Sequence, residues 1–151
     1  MPPDRRPLVL LVDNHTDNRE MYALYLRLRG FCVIACADSR IVLDLAVTWI
    51  PDIILLELRM NGLNGLDVVA RLKRDPKVAH IPVVALTASV LSFEQAAAMA
   101  AGFTALLPKP CLPDEVSDAI GNILAASAGA KNTAAAARET PVGTPDRPLA
   151  M

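Results

Sequence analysis

Five short apolar runs, Leu8 to Val12, Phe31 to Ala35, Ile53 to Leu56, Val83 to Leu86 and Thr104 to Leu107, alternate along the chain with longer segments of mixed polarity. The runs are nearly continuous in their apolarity, which is the pattern of strands buried on both faces. Between them apolar positions recur at helical spacing. Met21, Leu24, Tyr25 and Leu28 predict a first helix, with Gly30 as its stop. Ile41, Val42, Leu45, Ala46 and Trp49 predict a second, ended by Pro51, which disfavours helical geometry in the residue before it. The third runs from about Leu66 to Arg74, with Val68, Val69 and Leu72 facing inward. The fourth, Ser92 to Ala101, is alanine on several sides and stops at Gly102. Val116, Ala119, Ile120, Ile123 and Leu124 give the fifth the strongest stripe of all.

After Ala126 the pattern dissolves into Ala, Gly, Ser, Thr and Pro, with no periodic large apolar residues to bury. Residues 1–7 therefore read as an N-terminal extension, 8–126 as one domain and 127–151 as a flexible tail. Within that tail Ala134 to Ala137 can form a helical turn, but it has nothing to pack on.

Strand and helix alternating five times in this length make an α/β fold, a doubly wound five-stranded parallel sheet with helices on both faces. Such sheets place their sites at the carboxyl ends of the strands. The residues standing there are Asp13 and Asn14 after the first run, Glu57 after the third, Thr87 after the fourth and Lys109 after the fifth. Taken singly each has an ordinary reading: Asp13 or Thr87 as a helix cap, Lys109 as a surface charge. Together they put two carboxylates, an amide, a hydroxyl and an ammonium at one end of the sheet, and convergence of that kind defines a pocket.

Composition narrows the partners. Fifteen basic residues against sixteen acidic leave a formal charge of -1, so no global field draws the chain to nucleic acid or to an anionic membrane. Met1 to Pro7 lacks the apolar run of a signal peptide, and no stretch reaches membrane-spanning length free of charge or proline. The expected location is cytoplasmic. Three cysteines without metal-binding spacing, Cys32, Cys36 and Cys111, read as reduced and mostly packed thiols. His15 could join Asp13 and Glu57 around a transition metal, but a solvated residue at the start of the first helix is the preferred reading. His80 reads as a loop residue.

The segments LLVDNHTDNRE, PDIILLELRMNGLNGLD, HIPVVALTA and ALLPKP, in this order and at these separations, closely resemble the receiver domains of two-component response regulators, over Leu8 to Leu124. The resemblance implies a flavodoxin-like sheet of order 2-1-3-4-5 and a pocket that takes a phosphoryl group onto an aspartate with Mg²⁺. It implies further an output surface on the fourth helix, fifth strand and fifth helix, and a cis Lys109–Pro110 bond. By the same resemblance Asp13 corresponds to the first of the paired acids, Thr87 to the hydroxyl that contacts the phosphoryl group, and Lys109 to the pocket lysine.

Four positions depart. Glu57 stands at the phosphoacceptor, Asn14 at the second acid, Leu106 at an aromatic switch position, and Asn61 where the family usually has proline. Glutamate has the nucleophilic chemistry of aspartate, but its extra methylene shifts the carboxylate, and a misplacement of about 1 Å can cost orders of magnitude in transfer rate. Asn14 offers Mg²⁺ a neutral oxygen where a charged one is preferred. No cofactor is expected, and Mg²⁺ binding is expected to be weakened, with Asp13 and Glu57 as its remaining candidate ligands. Glu57 is expected to reach Lys109 instead.

These readings predict a stand-alone atypical receiver that is not an enzyme. It would act by protein–protein binding independently of phosphorylation, with Glu57 either imitating the phosphorylated acceptor or locking one conformation. The expected partners are a histidine kinase, a phosphotransfer protein or another response regulator, with homodimerisation through the fourth helix, fifth strand and fifth helix. The competing reading is a Mg²⁺-dependent phosphoacceptor in a kinase phosphorelay. A flavin protein of the same fold is disfavoured, because Asp13 to Asp17 is acidic and does not cradle phosphate.

Overall fold

A computed structural model describes residues 5–60, 63–88 and 92–139, and side chains within that set except at 92, 93 and 129–139. Asn61 and the side chain of Phe93 thus lie outside the described residues. The chain divides into two units, Met1–Ser117 and Asp118–Met151, the second of which holds the rest of the last helix.

In the first unit the strands are β1 (Leu8–Val12), β2 (Cys32–Cys36), β3 (Ile53–Glu57), β4 (Val83–Thr87) and β5 (Ala105–Pro108). The helices are α1 (Thr16–Leu28), α2 (Val42–Trp49), preceded by a 3-10 turn at Ser39–Ile41, α3 (Gly65–Arg74), α4 (Ser92–Ala101) and the start of α5 (Pro113–Glu139). The sheet is parallel throughout, in the order β2-β1-β3-β4-β5. Burial follows position in that order. Every residue of the central strands β3 and β4 is buried, whereas Cys32 and Ala35 of the edge strand β2 are exposed. On the open edge of β2 the Val33 carbonyl accepts a hydrogen bond from Arg27 (3.1 Å), which blunts the edge.

Alternation along the strands divides the core in two. Leu10, Val12, Ile54, Leu56, Val83 and Ala85 face α2, α3 and α4, where they meet Val42, Ala46, Val68, Val69, Leu72, Ala98 and Phe103. Val9, Leu11, Ile53, Leu55, Val84 and Leu86 point the other way and are equally buried. The predicted inward face of α3 is therefore the observed one. Its first turn comes close to the end of β3, since a Cβ on Gly65 would lie 3.0 Å from the Leu58 backbone.

The first helix is rotated from its expected phase. Its buried residues are Tyr22, Ala23 and Leu26, while Met21, Leu24 and Leu28, predicted to face the core, are 39%, 59% and 75% exposed. Ala23 allows close approach to the sheet, and Tyr22 is admitted because its hydroxyl finds the Cys111 carbonyl at 2.6 Å. A count of apolar residues sees neither effect. In α2 likewise, Val42 and Ala46 are buried but Trp49 is exposed, as is Ile41 at the end of the 3-10 turn before it.

The last helix continues past Ala126 to Glu139. Residues 127–139 are thus helical where a flexible tail was expected: alanine is the strongest helix former, and intrinsic propensity carries the helix beyond the end of its apolar stripe. Residues 140–151 lie outside the described ones, so the tail reading there stands on sequence.

Candidate functional site

Parallel strands bring their carboxyl ends to one edge, and the register sets the candidate residues side by side. Val12 pairs with Leu56, Glu57 with Leu86 and Thr87 with Pro108, so Asp13, Glu57, Thr87 and Lys109 end neighbouring strands. Asp13, Glu57 and Thr87 are buried, and Asn14 is half-buried. The Thr87 carbonyl accepts the Lys109 backbone N–H at 2.8 Å, which fixes the start of the loop after β5. The Lys109–Pro110 peptide within that loop is cis, as the resemblance implied. Leu106 is half-buried and packs on the core beneath α4's side of the sheet.

Lys109 organises the charges. Its Nζ donates to Glu57 Oε1 and lies 3.9 Å from Asp13 Oδ2. The other Asp13 oxygen, Oδ1, accepts the His15 backbone N–H at 2.9 Å, with the exposed His15 ring nitrogen Nδ1 at 3.4 Å. Asp13 Oδ2 and Asn14 Oδ1 are buried without a hydrogen-bond partner. His80 is an exposed residue of the turn before β4.

Three contacts were not anticipated from sequence. Arg19, one turn into α1, donates to the Asp13 carbonyl at 2.9 Å and brings a second cation to the pocket's rim. Tyr22 lies close enough for its phenol to be held above the ordinary range, first by burial and then by the negative field of Cys111, Asp13 and Glu57. Arg59, two residues past Glu57, shares its Nη2 between the two carboxylate oxygens of Glu94 in the first turn of α4, at 2.9 and 3.1 Å. The spacing of Thr16 to Leu28 could have located Arg19 on the pocket side once helix phase was known; nothing in the sequence pairs Arg59 with Glu94.

The family's metal can be tested against this donor set. Two orphaned oxygens are what a cation or a water molecule would seek. Mg²⁺, however, needs a near-octahedral oxygen shell held by carboxylates, and one of the two carboxylates present is already bound to an ammonium group. Asp13 and Glu57 share the Lys109 ammonium, and a divalent ion would have to displace Lys109 to gain Glu57. The residues present are a poor match for the metal. Among the described residues no cluster of three or more His, Cys, Asp or Glu is placed to hold an ion.

The response regulator receiver domain family matches residues 9–121. A curated relative, the polar-differentiation response regulator DivK of Brucella anthropi, is 29% identical over 102 residues, 68% of this chain and 83% of its own. The crystal structure of a response regulator from Desulfuromonas acetoxidans is 29% identical, with a TM-score of 0.71 over 78% of this chain and 95% of that one. The chemotaxis response regulator CheY4 of Vibrio cholerae, at 24% identity, shares the fold with a TM-score of 0.75, over 79% and 99% of the two chains. The chain belongs to the response-regulator receiver family and so to two-component signalling. No helix among the described residues is long and apolar enough to cross a membrane.

Proposed function

We propose that this receiver signals through protein–protein binding without accepting a phosphoryl group, and that it needs no metal to do so. The observation that carries this reading is the bond from Lys109 to Glu57. In phosphoryl transfer the pocket lysine turns its charge to the incoming phosphoryl oxygens; here it is held by Glu57, a residue five per cent exposed whose side chain is longer by a methylene than the aspartate it replaces. A buried, charge-assisted pair of this kind resists separation, because parting it would leave one charge unpaired in a dry site. The pocket is thereby set in one state.

With its pocket set, the domain acts by the surface it presents. Met21, Leu24 and Leu28 form an exposed apolar seam along α1 at spacings of three and four, and Leu112, 66% exposed, extends it at the start of α5. A helix from a histidine kinase, a phosphotransfer protein or another regulator is the partner such a seam suits. Met99 on α4 is exposed as well, and it supports the homodimer through α4, β5 and α5 as a separate expectation.

The test is incubation of the chain with acetyl phosphate and Mg²⁺, read by intact mass. The chain is expected to gain no phosphate, whereas the double variant Glu57→Asp/Asn14→Asp is expected to gain one. A phosphate on the unaltered chain that disappears in Glu57→Gln would establish the competing Mg²⁺-dependent phosphoacceptor and overturn the proposal.

A further inference from the structure

The opposite end of the sheet, where β1 and β2 begin, carries a groove unrelated to the pocket. The last turn of α2 overhangs it. Leu8, Ile34 and Trp49 supply its apolar lining, and Arg5 and Arg6 stand at its rim, around a cavity of ≈ 480 Å³. That volume falls within the range of roughly 300–1,000 Å³ typical of small-ligand sites. Trp49 is 56% exposed although it is the largest apolar side chain available to the core.

The two arginines differ. Arg5 is spent: it pairs with both carboxylate oxygens of Asp52, at 3.1 and 2.8 Å, and Asp52 also accepts the Leu8 backbone N–H at 2.7 Å. This bridge ties the N-terminal segment to the start of β1 and holds the rim in place. The exposed Arg6 takes part in no side-chain hydrogen bond or ion pair among the described residues. An apolar slot with one fixed wall and one guanidinium unpaired among the described residues is complementary to a molecule with an apolar body and a single anionic end. Guanidinium matches carboxylate in planar, two-point geometry.

We propose that this groove binds a small amphipathic carboxylate, its apolar body against Leu8, Ile34 and Trp49 and its carboxylate on Arg6. The site lies apart from Glu57 and Lys109 and stands whether or not the pocket accepts phosphate.

The chain carries its own reporters. Trp49 is its single tryptophan, and Cys32, which also lines the groove, is exposed while Cys36 and Cys111 are buried. The full chain is titrated with decanoate below the concentration at which micelles form. Tryptophan emission and the rate of Cys32 alkylation are followed, with decan-1-ol as the neutral control. A saturable emission change is expected, together with a several-fold slowing of alkylation. Affinity is expected to fall about tenfold both for decan-1-ol and for the variant Arg6→Gln, the loss of one charge-assisted contact. No saturable change, or equal affinity of the alcohol and the acid, would overturn the proposal. So would an Arg6→Gln variant that binds decanoate as tightly as the unaltered chain.

Discussion

Lys109 holds its ammonium on Glu57 and within 3.9 Å of Asp13, with 17% of its side chain exposed. At that depth the pair is worth most when both members are present. Removing one leaves the other buried and unpaired, a loss of about 3 kcal/mol or more. Lys109→Met is therefore expected to destabilise the domain by about 3 kcal/mol in urea unfolding, because it strands both Glu57 and Asp13. Glu57→Gln is expected to cost about 1 kcal/mol, since the amide oxygen can still accept from Lys109 and Asp13 remains beside it. The two changes combined should cost less than their sum, and strict additivity in that cycle would mean that the pair is not coupled. At this scale the sequence was informative: Asp13, Asn14, Glu57, Thr87 and Lys109 were all legible, because each follows an apolar run and a parallel sheet must bring such positions together. Arg19 and Arg59 were not, because long flexible side chains reach partners that only the placed backbone defines.

At the scale of elements, the existence of each helix and strand followed from periodicity, but the phase of α1 did not. Met21, Leu24, Tyr25 and Leu28 make the more hydrophobic stripe, yet the helix turns Tyr22, Ala23 and Leu26 to the sheet. A small residue and a hydrogen-bonded phenol fit the narrow space over β1 and β2 better than three bulky side chains. Truncation reads this phase directly. Leu26→Ala, at 1% exposure, is expected to cost about 3 kcal/mol in thermal or urea unfolding. Leu24→Ala and Leu28→Ala are each expected to change stability by no more than about 0.5 kcal/mol. If the seam on α1 serves a partner, those two silent substitutions weaken partner capture while leaving the fold intact. The length of α5 was underestimated for a related reason, since a stripe marks where a helix is buried and propensity alone sets where it ends.

For the molecule as a whole, burial makes stability fall at alkaline pH. Burial raises the Cys36 and Cys111 thiols above their ordinary value of 9.0, and the Tyr22 phenol above 10.0. In that range the unfolded chain has already released protons that the native one retains, so stability declines as pH rises past 9.0. Lys73 opposes this. Its ammonium is half-buried against the carbonyls of Ala79 and Ile81, and burial lowers it below 10.5, so the native state releases that proton first. Urea unfolding across this range is expected to show a net decline, flattened in Cys36→Ala/Cys111→Ala and steepened in Lys73→Met. The amino-acid sequence by itself determined the order of elements, the parallel sheet and the set of groups at its carboxyl edge, because these follow from local periodicity and from the handed, layered way strands and helices pack. Only the tertiary structure decided which face of α1 is buried, that Arg59 reaches Glu94, and that Trp49 and Arg6 line one groove. Those outcomes depend on distances between segments far apart in the chain, and one helix turned by a single residue, or one side chain longer by a methylene, changes them without altering the pattern.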